Sequence, residues 1–350
     1  MEESFTFKAR MQKILRTILM IASTIGAVTE KNAVRVKYGL TPYGPPLENW
    51  QHAQAVVVTT PLGMDVARYM HPKTTMTGFL AVPYQENSNA AGTHADDDKE
   101  MTKYLDKHPG GVVFCSLGSL ARLTQAEYEE ITKGMDMWVQ EGKKRGAIMA
   151  VNEFAEKMLD LSVGPDSVKR VGWTNQPMIL AHKNTAAFIT HGGLGSIGEA
   201  VVSMVPMVVL PVFGDQMSNG IRLTEMGVAE TLHHREVDVT AESVYGHLKS
   251  VTTDPSYMDQ MRRLYQISVR LGGVQKAADV VEDVLLLDGN SDHLTPIEDY
   301  APFLARTNLD VYAVLLGIVG AVVFAIVWVL GKIFKTLRSG TQTYRKVKKS

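Results

Sequence analysis

Apolar and polar residues recur along the chain in two periods. Short apolar runs at 55–59, 112–116, 147–151, 168–171, 186–189, 207–210 and 228–230 are bounded by turn-forming residues and read as buried strands. Between them, 125–140 carries apolar residues at helical spacing, and Thr124 with Glu127 forms a Thr-x-x-Glu capping box at its start. A short helix begins at Met178, another opens near Ser196, and 241–287 has helical spacing that Asp254-Pro255 interrupts. Strands and helices alternating at these lengths predict an α/β fold with a parallel, doubly wound sheet. Such sheets bind ligands at the carboxyl ends of their strands.

The two ends of the chain follow other patterns. Residues 311–331 contain no charged side chain, a length that matches the roughly 20 residues needed to cross a bilayer core. Tyr312 and Trp328 stand near its ends, where aromatic anchors belong. Behind it come Lys332, Lys335, Arg338, Arg345, Lys346, Lys348 and Lys349, with no acid among them. This asymmetry predicts a transmembrane helix with a cytoplasmic basic tail and a lumenal globular part, in preference to a buried core helix. The last five residues also fit a Lys-x-Lys-x-x retrieval signal for the endoplasmic reticulum. At the other end, 11–28 is moderately apolar and broken by Lys13 and Arg16. It reads as an amphipathic helix of a globular domain, with an uncleaved signal-anchor as the alternative. The polar stretch 83–99 suits a solvated linker, and 288–308 an irregular, acidic connection.

Composition narrows the possibilities. The 350 residues allow about two domains, and a formal net charge of −1 gives no general attraction to nucleic acid. The single Cys115 excludes an intrachain disulfide and a multi-cysteine metal site, and its apolar strand suits a buried, inert thiol. No Asn-x-Ser/Thr sequon is present.

The densest chemistry lies between residues 173 and 216. The run 186–189 delivers the backbone to His191-Gly192-Gly193-Leu194-Gly195, where a helix opens. Glycines let phosphate oxygens approach the main chain, and a helix start supplies free N–H groups and the positive dipole end. His191 can donate to a phosphate oxygen and stabilise charge there. Glu199, about two turns on, is an acceptor for vicinal hydroxyls. Trp173 offers an aromatic face to a flat base. Structural alternatives remain for each: a core Trp173, a solvated Glu199, an Asp215 that caps a turn. Gly193-x-Gly195-x-x-Gly198 with Asp215 downstream also matches the dinucleotide fingerprint, so an NAD(P)-dependent oxidoreductase is a rival reading.

The block from Trp173 to Gln216 resembles the signature of the UDP-glycosyltransferase family, the glucuronosyl- and glucosyltransferases that use UDP-sugars. Trp173, Gln176, Thr190-His191-Gly192-Gly193, Glu199, Pro206, Pro211 and Asp215-Gln216 carry the match. Residues 111–119, His293-Leu294 and 309–311 extend it, so the resemblance covers about 101 to 332. It implies a GT-B-type fold: 1–82 a remnant of the N-terminal acceptor domain, 83–100 a linker, and 101–290 the UDP-sugar donor domain. The connection 291–309, the membrane helix 310–331 and the tail 332–350 follow. It also implies that Phe5 to Arg10 lies late in the N-terminal domain, and that Thr77-Gly78-Phe79 is that domain's last strand.

By the same resemblance, Trp173 stacks on uracil, Gln176 and Glu199 serve the ribose, and His191, Gly192, Gly193, Ser196 and Ser119 lie at the diphosphate. Asp215 and Gln216 would bond the sugar. The reaction would move a hexosyl or hexuronosyl group, with inversion, to a small lipophilic acceptor; the UDP-sugar is a co-substrate and no cofactor is implied. The partners are that donor, the acceptor, the membrane and, as an option, other copies or full-length family members. Two departures stand out: Gly195 where many animal members have Asn, and Trp-Thr-Asn-Gln-Pro where Trp-x-Pro-Gln-Asn is common. The family's catalytic His and its Asp partner have no match, since His52, His71, His94 and His108 all lack that context. The catalytic residues are therefore unassigned, and a donor-domain fragment that binds UDP-sugar without transfer is the second reading.

Overall fold

The computed structural model describes residues 28–40, 53–61, 63–64, 70–84, 95–232, 239–290, 292–294 and 308–347, with single positions at 11, 15, 19 and 42. The expected 5–10 segment lies outside these residues, as does most of the expected 11–28 helix; 28–37 is helical. The chain divides into two compact units, up to Ser291 and from Asp292 onward.

The first unit opens with two short parallel strands, β1 (Val56–Val58) and β2 (Thr74–Met76). The strand expected at 77–79 is absent. Gly78 takes φ +73°, which turns the backbone out of the extended region after Met76, and Thr77 Oγ1 donates to Val58 O and Gly78 O. The stretch expected as linker up to 100 becomes helical at Ala95. In α1 (Ala95–Lys107), Asp96, Asp97 and Asp98 occupy the first turn, where the helix dipole favours acids.

Six parallel strands follow: β3 (Val112–Ser116), β4 (Gly146–Ala150), β5 (Val168–Val171), β6 (Thr185–Thr190), β7 (Met207–Val209) and β8 (Ala229–Thr231). Their order, β5-β4-β3-β6-β7-β8, reverses direction between β3 and β6. That is the topological switch point of a doubly wound sheet, where a crevice opens beyond the strand ends. The strand expectations from 112 to 230 all find a strand within a residue or two.

Alternation along the strands sends side chains to two cores. Val112, Phe114, Ile148, Phe188 and Val209 pack on one face beneath α4 (Gln176–Ala181), α5 (Leu194–Val202), α6 (Gln216–Glu225) and α8 (Pro255–Arg270). Phe114 and Phe188 stack there with centroids 5.3 Å apart. Val113, Cys115, Met149, Ile189 and Val208 pack on the other, under α2 (Gln125–Glu141) and α7 (Ala241–Thr253). The capping box of α2 forms as expected: Thr124 accepts from the Glu127 N–H, and Glu127 accepts from the Thr124 N–H. Burial drives the Cys115 thiol pKa upward, which keeps it protonated and unreactive.

The short α3 (Glu153–Met158) follows β4, and α9 (Gly273–Leu286) closes the unit. The helical stretch 241–287 breaks at Asp254 as expected and again at Gly272, whose φ of +92° ends α8. The β1–β2 piece is tied to the larger sheet's helices: Arg222 donates to Met64 O at 3.0 Å, and the Gly273 N–H to Thr77 O at 2.7 Å.

In the second unit, Asp292–Leu294 forms a 3₁₀ turn and α10 runs from Leu309 to Val347. Its stretch Leu309–Lys332 contains an 18-residue window of mean hydropathy 2.9 and is long and apolar enough to span a bilayer core.

Candidate functional site

Two glycine turns face each other across the switch point. After β3 the chain turns through Leu117-Gly118-Ser119, with Gly118 at φ +74°. After β6 it turns through His191-Gly192-Gly193 into α5. The turns touch: a Cβ on Gly118 would lie 3.0 Å from His191 Cε1, and one on Gly193 would lie 2.5 Å from His191 Nε2. Both positions need glycine to leave room for the imidazole. α5 starts at Gly193 with no side-chain cap, so its first N–H groups remain available to an anion.

Asparagines hold both turns. Asn152 Nδ2 donates to Gly118 O at 3.0 Å and Ala121 O at 2.9 Å, and its Oδ1 caps α3 by accepting from the Ala155 N–H. Asn219 Nδ2 donates to Gly192 O at 3.0 Å and to Asp215 Oδ2 at 2.8 Å. Sequence reasoning passed over both. Asn152 had a legible signal, a cap residue between a strand and Glu-Phe-Ala; Asn219 lies four residues after Asp215 on one helix face.

A cleft of about 650 Å³ opens beside the β3 turn. Of the expected residues, Ser119, Trp173, Gln176 and Glu199 line it, together with Asn152, Glu153 and Glu156. Trp173 is 76 % exposed, which sets aside the alternative of a core tryptophan. Gln176 lines the same cleft from the start of α4, which Asn175 caps. Gln176 Nε2 donates to Glu199 Oε2 at 2.7 Å and to Ser196 Oγ at 3.2 Å. Burial raises the Glu199 pKa, partly offset by the Gln176 bond. Further hydrogen-bond donors at this carboxyl would act with Gln176 to favour its ionised form.

His191 sits at the crossing of the two turns. Its Nδ1 is buried without a hydrogen-bond partner. Burial lowers its pKa, against an opposing pull from Asp215, so the free imidazole is neutral at pH 7. An arriving anion would favour the protonated ring. Gly195 leaves open space where a side chain would stand, and the neighbouring Ser196 hydroxyl is engaged by Gln176.

The Asp215-Gln216 pair divides. Asp215 is exposed at the start of α6. Gln216 is only 4 % exposed, and its Oε1 accepts from the N–H groups of Val212 and Phe213 at 2.8 and 2.9 Å. That oxygen clamps the loop after β7, which its spacing in the sequence did not suggest. Of the other histidines, His108 packs against Gly146 at the amino end of β4, and His71 accepts from the Lys73 N–H; His52 and His94 lie outside the described residues.

Comparison with known proteins gives concordant results. The family profile described as "UDP-glucoronosyl and UDP-glucosyl transferase" matches residues 49–343. A UDP-glycosyltransferase of Talaromyces amestolkiae is 26 % identical, covering 91 % of this chain and 64 % of its own. UDP-glucuronosyltransferase 2A3 of Homo sapiens is 28 % identical, covering 69 % and 45 %. UDP-glucuronosyltransferase 1A6 of Mus musculus is 35 % identical over 71 % and 42 %. The chain thus spans about half the length of the curated relatives it matches. Among solved structures, the glycotransferase of kitacinnamycin superposes with a TM-score of 0.57 at 20 % identity, covering 79 % of this chain and 66 % of that one. The calicheamicin glycosyltransferase CalG4 gives 0.54 at 19 %, covering 82 % and 68 %. These two share the GT-B fold with the chain.

Proposed function

The chain belongs to the UDP-glucuronosyl and UDP-glucosyl transferase family, and from that premise we propose that its cleft binds a UDP-sugar and that its reaction is hexosyl or hexuronosyl transfer to a small lipophilic acceptor. The observation that carries this is that Gln176 and Glu199, hydrogen-bonded to each other and with Gln176 also to Ser196, line one cleft with the exposed Trp173, close along the chain to the His191 loop. In this reading uracil lies on Trp173 and the ribose hydroxyls donate to Glu199. The diphosphate meets the start of α5, with His191 and the Ser119 turn beside it. Asp215 accepts from the sugar hydroxyls.

In the transfer, an acceptor oxygen attacks the anomeric carbon from the face opposite the diphosphate. The bond from that carbon to the phosphate oxygen breaks, and UDP leaves with the electron pair. The α5 N–H groups and His191 would stabilise the charge that develops on UDP. The acceptor proton needs a base. No described histidine lines the cleft; His191 lies against Gly118 at its edge, on the phosphate side of this reading. That favours a second reading, in which this chain binds UDP-sugar and transfers nothing alone, or acts with another copy or a family partner.

The same reading places the chain in the endoplasmic reticulum membrane, with α10 as a single span, the globular unit lumenal and the tail cytoplasmic. Support comes from the apolar α10 and the basic residues behind it. Measuring UDP release from UDP-glucose and UDP-glucuronic acid over a panel of phenols and alcohols tests transfer. Acceptor-dependent release supports the first reading; UDP binding with no release on any acceptor supports the second; absence of UDP binding removes both.

A further inference from the structure

A second cavity, of about 230 Å³, adjoins the donor cleft. Phe79, Leu80 and Ala81, which follow β2, line one side of it, with Thr59 from the stretch after β1. The first two turns of α5 line the other, through Leu194, Gly195, Gly198 and Glu199. These four are spaced i, i+1, i+4 and i+5, so they share one face of the helix. Among the described residues, Glu199 alone lines both cavities.

Both sides are built into the fold. The Gly273 N–H donates to Thr77 O at 2.7 Å and Thr77 Oγ1 to Val58 O at 3.3 Å, which ties down the chain just before Phe79. Phe79 is buried in the core, and Ala81 and Leu194 pack against it. A Cβ on Gly198 would lie 3.1 Å from Phe79 Cβ and 3.2 Å from Ala81 Cβ, so glycine lets this segment lie close against α5. Gly195 has the opposite effect. A Cβ there would meet nothing within 4 Å, so the missing side chain leaves the cavity open.

We infer that this cavity seats the apolar body of the acceptor, a substituted aromatic ring or a hydrocarbon group of similar size, beside the bound donor. This rests on the reading of the neighbouring cleft as a UDP-sugar site. Size and chemistry select the occupant. A dry, apolar cavity of about 150 Å³ takes up one benzene molecule, so 230 Å³ admits a ring with substituents. Thr59 and Glu199 are the only polar side chains among the described residues that line it. That is the pattern of a pocket that holds an apolar ligand and orients it through few polar groups. No described lysine or arginine lines it, so it offers no cation to a second anion. Sharing Glu199 sets the two ligands side by side.

Fluorine and proton NMR of para-fluorophenol with the full chain in detergent, against empty micelles of the same detergent, provides the test. Saturable phenol binding is expected, with Overhauser transfer between the phenol ring and UDP-glucose when both are present. Leu80 is 44 % exposed and lies outside the donor cleft, so Leu80→Gln can be made without disturbing the core. It removes part of the apolar wall and should weaken phenol binding about fivefold or more, with calorimetric UDP affinity unchanged. Gly195→Leu fills the open space and should weaken phenol binding by a similar factor. Phenol binding that neither substitution changes overturns the inference. So does a chain that binds UDP but no phenol, or bound phenol with no transfer to UDP-glucose. Phenol binding that both substitutions weaken, in a chain that does not bind UDP, would instead remove the donor reading and with it the acceptor role of the cavity.

Discussion

Gln176 Nε2 lies 2.7 Å from Glu199 Oε2 and so joins the first residue of α4 to the second turn of α5. Neither residue is near the other in sequence. The parallel crossover brings them together at the carboxyl edge of the sheet, where burial raises the Glu199 pKa and the amide offsets part of that rise.

Glu199 should make both stability and binding depend on pH. Burial holds its folded pKa above the ordinary glutamate value, so the folded state holds the proton more tightly. Its contribution to stability is complete below the ordinary glutamate pKa and declines as pH rises through the folded value. Glu199→Gln should remove that decline, which denaturant titrations between pH 4 and 8 would reveal. The same change should weaken UDP binding about tenfold or more, since hydrogen bonds to a charged group are worth about 1.5–3 kcal/mol. Wild-type UDP affinity should fall as pH drops through the raised pKa.

His191 should take up a proton when UDP binds. Burial holds its free pKa down, and a diphosphate would raise it. Calorimetry in buffers of different ionisation enthalpy should detect net uptake with UDP and none with uridine. His191→Ala should abolish the uptake and cost about 10- to 100-fold in UDP affinity, in line with a charge-assisted bond. Equal losses for UDP and uridine would rule out a phosphate role.

Asn152→Ala should destabilise the fold and loosen the site together. It removes the α3 cap and leaves Gly118 O and Ala121 O without that donor. A cost of about 2 kcal/mol is expected, or about 4–8 °C in Tm. UDP affinity should fall as the 117–121 turn releases His191. Unchanged Tm would show that the turn holds itself.

Gln216→Ala tests whether the loop clamp is this residue's whole role. It removes the acceptor that the Val212 and Phe213 N–H groups share, at about 1–3 kcal/mol. UDP and UDP-glucose affinities should then fall by the same factor. A selective loss for UDP-glucose would reveal direct sugar contact.

Much of the fold was legible in the sequence because periodicity reports burial. Strands β3 to β8 are apolar runs closed by turns, and the glycine loops mark where ligands approach. What was missed depended on partners far away in sequence. Asn152 and Asn219 act on carbonyls 31 to 34 and 27 residues away, and no local pattern reports such bonds. Gln216 is a polar residue next to an exposed Asp215, and only the folded loop shows that it turns inward. The acidic run at 96–98 looked solvated because three acids suit a linker and a first helical turn alike. The strand expected at 77–79 failed at Gly78, where a positive φ overrode the apolar flanks.

The most direct measurement is calorimetric titration of the full chain in detergent with UDP, UDP-glucose, UDP-glucuronic acid and NAD(P)⁺. Saturable UDP and UDP-sugar binding is expected, weakened by both Trp173→Ala and Glu199→Gln, with no NAD(P)⁺ binding. Tight NAD(P)⁺ binding without any response to UDP would contradict it.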